Sequence, residues 1–221
     1  MSRRSITLLL CCGAAGAPLF VIAFLIEGAT RPGYSPVRLP ISLLSLGDLG
    51  WTQTANFILE GALMLGFAVA LGRSLPSSGW ASRSGPILIG VFGLGLLGAG
   101  IFSADPGGGY PPGIRAAGSG TSGTLHDLST LVLFASLVAA CAVFSRQFAN
   151  RRETAWATYS AVTGSIVAAG FILMFIGFSG TNDISRVAGL IQRLAVIVGW
   201  TWIALLALRE IRRLPETSAA R

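Results

Sequence analysis

Two ionisable side chains lie deep inside apolar runs, where a charge is costly and is therefore a functional suspect. Glu60 falls nine residues past Trp51, roughly 13 Å along a helix, near the middle of a hydrocarbon core about 30 Å thick. Gln53 and Asn56 precede it at i−7 and i−4, on the same helical face. Arg193 lies six residues past Val187, roughly 9 Å deep on the same rise. The depths match, so Glu60 and Arg193 are expected to meet directly or through Asn56, Gln192 or water, as a register-fixing pair or as a ligand or proton site.

A second group surrounds the chain's single histidine. His126 adjoins Asp127 and shares one end of the chain's spans with Asp105, and an imidazole beside carboxylates can relay protons or act as a general base. Each has a local reading as well. Thr124 to Asp127 has capping-box-like spacing, and Asp105-Pro106 reads as a helix stop. Thr181, Asn182, Asp183 and Ser185 similarly offer caps for the last apolar run.

Several chemistries are argued down by inventory. One histidine cannot supply a multi-histidine zinc site or bis-histidine haem ligation, and Cys11, Cys12 and Cys141 have no metal-binding spacing; no metal or cofactor is expected. The chain has no Lys, so it has no P-loop. Ser119 and Ser122 lie near His126, but in a Gly-rich loop without a nucleophile elbow.

The elements that must position these residues follow from composition. The 221 residues are 52% hydrophobic and 11% charged, with a mean hydropathy of +0.71, too little polar surface to cover a soluble domain. A single all-α domain over 1–221 is expected, an integral membrane six-helix bundle with spans near 6–26, 51–72, 85–103, 126–145, 155–178 and 187–208. The start, SRRSITLLL, has features of an export signal, but its apolar run is longer than a signal core and lacks a small-x-small cleavage site. The segment 38–50 carries Ser42, Ser45 and Asp48 at i, i+3, i+6 and is expected as a short interfacial helix on the outer face, with Asp48 as a cap for the second span.

All sixteen basic residues are Arg, in small groups between apolar runs, which argues for topology and against a nucleic-acid partner. Both termini and the second and fourth loops hold eleven (Arg3, Arg4, Arg73, Arg83, Arg146, Arg151, Arg152, Arg209, Arg212, Arg213, Arg221) against four (Arg31, Arg38, Arg115, Arg186) in the other loops. The positive-inside rule then places both termini in the cytoplasm, and the Arg-rich, Lys-free composition suits a bacterial plasma membrane.

The motifs RPGYSPVRLPISLLSLGDLGWTQTANFILEG, GAGIFSADPGGGYPPG, LHDLST and GLIQRLAVIVGWTWIALLAL together resemble the bacterial and archaeal membrane family known as domain of unknown function 998. The resemblance runs over nearly the whole chain and implies a polytopic helical membrane protein without supplying an activity. It matches motif positions to Arg31, Ser42, Ser45, Asn56, Asp105, Pro106, His126, Asp127, Gln192 and Arg193, all in the outer half of the expected topology. Glu60 lies outside those motifs.

Two functions of different class follow. One is a small transporter-like, binding or accessory module whose outward site uses Asn56, Glu60, Gln192, Arg193, Ser42, Ser45 and Arg31, with a small-molecule or lipid ligand, membrane lipid around it and a partner subunit left open. The other is a membrane-embedded hydrolase acting on a lipid or envelope substrate, with His126 as base and Asp105 or Asp127 orienting it. A purely structural polar network is the third reading.

Overall fold

Apolar runs long enough to cross hydrocarbon can satisfy their backbone only as helices or closed barrels, and these are rich in Leu, Ala and Gly rather than alternating. The computed structural model describes residues 1–74, 80–114, 120–180 and 183–214; Arg115, Ser119, Thr181, Asn182 and Arg221 lie outside them. Among the described residues six helices are long and apolar enough to span a membrane. They are α1 (Arg3–Thr30), α2 (Gly50–Ser74), α3 (Trp80–Ile101), α4 (Thr121–Asn150), α5 (Thr154–Ser179) and α6 (Ala188–Arg213). Most outrun the apolar segments because a helix gains by continuing into the headgroup region.

Each helix packs on the next in sequence, and α6 returns to pack on α1, closing a ring. Aromatic side chains of α6 fill its middle. Trp200 stacks on Phe20 of α1 and meets Phe92 of α3 edge-on, while Trp202 meets Phe144 of α4. The outward faces carry Leu19, Ile22, Leu59, Leu94, Leu131, Ile166, Phe175 and Leu194, all exposed and suited to lipid.

Small residues set how closely the ring draws in. A Cβ on Gly61 of α2 would stand 2.8 Å from the Gly93 carbonyl oxygen of α3, and one on Gly93 would stand 2.9 Å from the Gly61 carbonyl. This reciprocal contact is the close backbone approach that small residues permit in lipid. Because the obstacle is backbone, Gly61→Ala should cost about 1–3 kcal/mol by forcing α2 and α3 apart. A thermal unfolding midpoint unchanged from wild type would refute that packing.

At the end opposite the arginine-rich one, two loops cover the bundle. The interfacial helix is a single 3-10 turn, Ile41–Ser45, shorter than the 38–50 segment. It turns Ile41, Leu43 and Leu44 down into the core instead of resting them on lipid, because α1, α2 and α6 all pack against it. Asp48 is exposed there and makes none of the contacts that hold the turn. Gly33, at φ +72° and against Pro112, joins this loop to the one at 105–113, where Tyr110 meets Tyr34 edge-on.

Candidate functional site

The residues singled out from the sequence converge on this covered end, but in partnerships of their own. Arg193, rising from the first turns of α6, does not pair with Glu60. Its guanidinium donates to the Leu39 and Gly189 carbonyls, both at 3.0 Å, and to the Tyr34 hydroxyl at 2.6 Å. Tyr34 passes the chain on, donating to the Pro40 carbonyl at 2.9 Å. A buried cation can be compensated by several oriented dipoles as well as by one carboxylate, and the loop supplies them here. Its neighbour Gln192 accepts from Ile41 N at 2.8 Å, and Leu190 N donates to the Val37 carbonyl at 2.9 Å. Gly189 leaves room for this close approach, since a Cβ there would stand 2.5 Å from the Leu39 carbonyl oxygen. The Gln-Arg motif of α6 therefore clamps the 31–50 loop onto the bundle.

Arg31 is a second clamp. It pairs with Glu27 at 3.3 Å and donates to the Leu49 carbonyl and the Thr52 hydroxyl, tying the end of α1 to the start of α2. Ser45 donates to the Ser42 carbonyl at 2.6 Å and serves the turn itself. Asn56 donates to the Phe20 carbonyl and to Gln53 Oε1, each at 3.2 Å, bracing α2 on α1.

The carboxylates do not orient the histidine. Asp105 Oδ2 accepts from Gly120 N at 2.9 Å, capping α4 from the end of α3, and Gly123 is the residue that lets it in. Asp127 is exposed, on a different face of α4 from the buried His126. The capping-box spacing is not used either, since α4 begins at Thr121 and Thr124 Oγ1 donates back to the Gly120 carbonyl within the first turn. Ser122 donates to the Ser103 carbonyl, a further brace between the helices.

His126 is held by backbone instead. Its Nδ1 lies 2.9 Å from the Phe102 carbonyl oxygen and 3.1 Å from that of Ala99, at the C-terminal end of α3. Carbonyls only accept, so Nδ1 carries the proton and Nε2 of the neutral ring is an acceptor. The ring lines a cavity of about 40 Å³ together with Ser42, Thr130, Gln192 and Trp200. With Gln192 Oε1 committed to Ile41, the amide's N–H donors complement the imidazole acceptor. The 3-10 turn forms part of the wall through Ile41 and Ser42, and the space is enough for a few water molecules.

Deeper along α2, Glu60 is 2% exposed and fits against α1 only because Gly16 has no side chain; a Cβ there would stand 2.7 Å from Glu60 Oε2. Glu60 Oε1, Trp200 Nε1 and Gln53 Nε2 each lack a partner of good hydrogen-bond geometry among the described residues. Trp200 borders the cavity and also lies beside the Glu60 carboxyl, so it stands between the two. Thr130 and Trp200 were invisible as site residues in the sequence, because a lone hydroxyl or indole in an apolar helix gives no signal without its facing partners.

No curated protein and no solved structure matches the chain. The family described as protein of unknown function DUF998 matches it over residues 14–209, nearly the whole length and every motif discussed above. This six-helix chain, with its clamped loop and histidine-lined cavity, belongs to the DUF998 family.

Proposed function

We propose that the protein is a plasma-membrane binding module, transporter-like or accessory to a larger assembly, that takes a small polar solute from the non-cytoplasmic side. Arginine-rich ends in the cytoplasm put the covered cavity outward. The observation that carries the reading is the His126 ring, its Nδ1 held by two carbonyls while the residue lines a cavity. Ser42, Thr130 and the Gln192 amide supply the other polar contacts, and aromatic rings supply the walls, the usual construction of a small-molecule site. The nearby Glu60 carboxyl, without a counter-ion among the described residues, gives the site a second station deeper in the bundle.

The single histidine makes the test direct. In uniformly ¹⁵N-histidine-labelled protein in nanodiscs, the one imidazole should appear as the Nδ1–H tautomer, and small hydrogen-bonding solutes such as methylammonium or acetamide should shift Nε2. His126→Ala should abolish solute-induced thermal stabilisation. An Nε2–H tautomer, or a signal no solute moves, would sink the proposal.

A hydrolase is the second reading, favoured by Ser42 and His126 lining one cavity. The imidazole has carbonyls where a triad has a carboxylate, and Ser42 lies on a 3-10 turn rather than a nucleophile elbow. Covalent capture of Ser42 by a fluorophosphonate probe would favour hydrolysis; an unlabelled Ser42 removes it.

A further inference from the structure

The opposite, arginine-rich end carries a charged cluster that the cavity does not involve. A tight turn after α4, with Arg152 at φ 61° and Glu153 N donating to the Phe148 carbonyl, delivers Glu153 to α6. There Glu153 accepts from Arg209 and Arg213, and Arg209 also pairs with Glu210. The Arg209 guanidinium lies 4.3 Å from the Phe148 ring centroid and 5.2 Å from that of Trp156. Arg209 and Arg213 are matched by the two carboxylates Glu153 and Glu210, which leaves the positive charge of Arg212 over. Arg212 is exposed and pairs with neither carboxylate.

These residues border a groove of about 250 Å³ lined by Trp156, Leu205, Leu208, Arg209, Arg212 and Arg213. Leu205, Leu208, Arg209 and Arg212 follow at i, i+3, i+4 and i+7, one face of α6 that changes from apolar to cationic where the helix leaves hydrocarbon. Leu205 and Leu208 are exposed on the lipid-facing flank. Arg209, by contrast, is 7% exposed and holds the groove floor through its carboxylate and ring contacts.

We infer that this groove is a binding site for one anionic phospholipid. The phosphate meets Arg212 and Arg213 at the rim, and an acyl chain lies along Leu205 and Leu208 beside the Trp156 indole. An uncompensated guanidinium at the rim matches a phosphate, and an apolar wall continuous with the lipid-facing flank matches the tail. A free phosphate would use the first feature and leave the second without purpose.

The test is native mass spectrometry of the full chain released from micelles holding equal dioleoyl-phosphatidylglycerol and dioleoyl-phosphatidylcholine. Wild type should retain one phosphatidylglycerol preferentially. Arg212→Gln, which breaks no hydrogen bond or ion pair among the described residues, should lower that retention about fivefold, and Leu208→Glu should lower it further. Arg38→Gln, an exposed arginine at the other end, should leave it unchanged. Equal retention of the two lipids, an undiminished signal in Arg212→Gln, or displacement by millimolar inorganic phosphate would overturn the assignment.

Discussion

Arg193→Ala is expected to destabilise the protein by about 3 kcal/mol and to release the 31–50 loop. The side chain is 4% exposed and its three acceptors are the Tyr34 hydroxyl and the Leu39 and Gly189 carbonyls. Truncation removes three hydrogen bonds from a charged donor, each worth about 1.5–3 kcal/mol, partly offset because Tyr34 still bonds the Leu39 and Pro40 carbonyls. The thermal midpoint should fall, and a protease added to the folded variant should cleave between 31 and 50 where wild type resists. A double-mutant cycle separates this clamp from an ion pair with Glu60. Arg193→Ala should couple to Tyr34→Phe by about 1 kcal/mol or more and to Glu60→Gln by almost nothing. Strong coupling to Glu60 would restore the pairing expected from depth alone.

The second large effect belongs to the arginine-rich end. Arg209→Met should cost about 3–5 kcal/mol, because Glu210, 5% exposed, would keep a buried carboxylate without its guanidinium. Glu153 adds a pH dependence. Burial alone would raise its carboxyl, but hydrogen bonds from Arg209 and Arg213 and their charges outweigh that and hold it below its ordinary value of 4.5. A carboxyl lowered on folding stabilises the fold above its unfolded value and loses that contribution as pH falls through the folded one. Wild-type stability should therefore decline as pH drops below about 4.5, and Glu153→Gln should be less stable at neutral pH yet flatter across that window. Parallel midpoint-versus-pH curves for the two proteins would count against the network.

Much of the architecture was legible in the residues. Six apolar runs, their polar punctuation and the arginine alternation specify the spans, because hydrocarbon accepts few other backbones. The motif positions were also legible as a group at one end. Their partners were not. Arg193 and Leu39 are 154 residues apart in the chain, and nothing in apolar helices tells how each is rotated about its axis. Asp105 illustrates the difficulty, since beside His126 in a list it suggests catalysis, whereas in space it caps α4.

Arg209 shows the same limit from the other side. Counted as a topology marker, it turns out to be buried between aromatic rings and carboxylates from two segments. The sequence by itself determined that the chain crosses a membrane six times, which end is arginine-rich, and which residues are too polar to be there by accident, because those are one-dimensional properties of hydropathy and charge. Only the tertiary structure decided that Arg193 clamps a loop, that backbone carbonyls hold the His126 ring at the wall of a cavity and that Glu60 has no counter-ion among the described residues. Those facts depend on helix rotation and on a loop folded back over the bundle, which packing sets and local sequence does not encode.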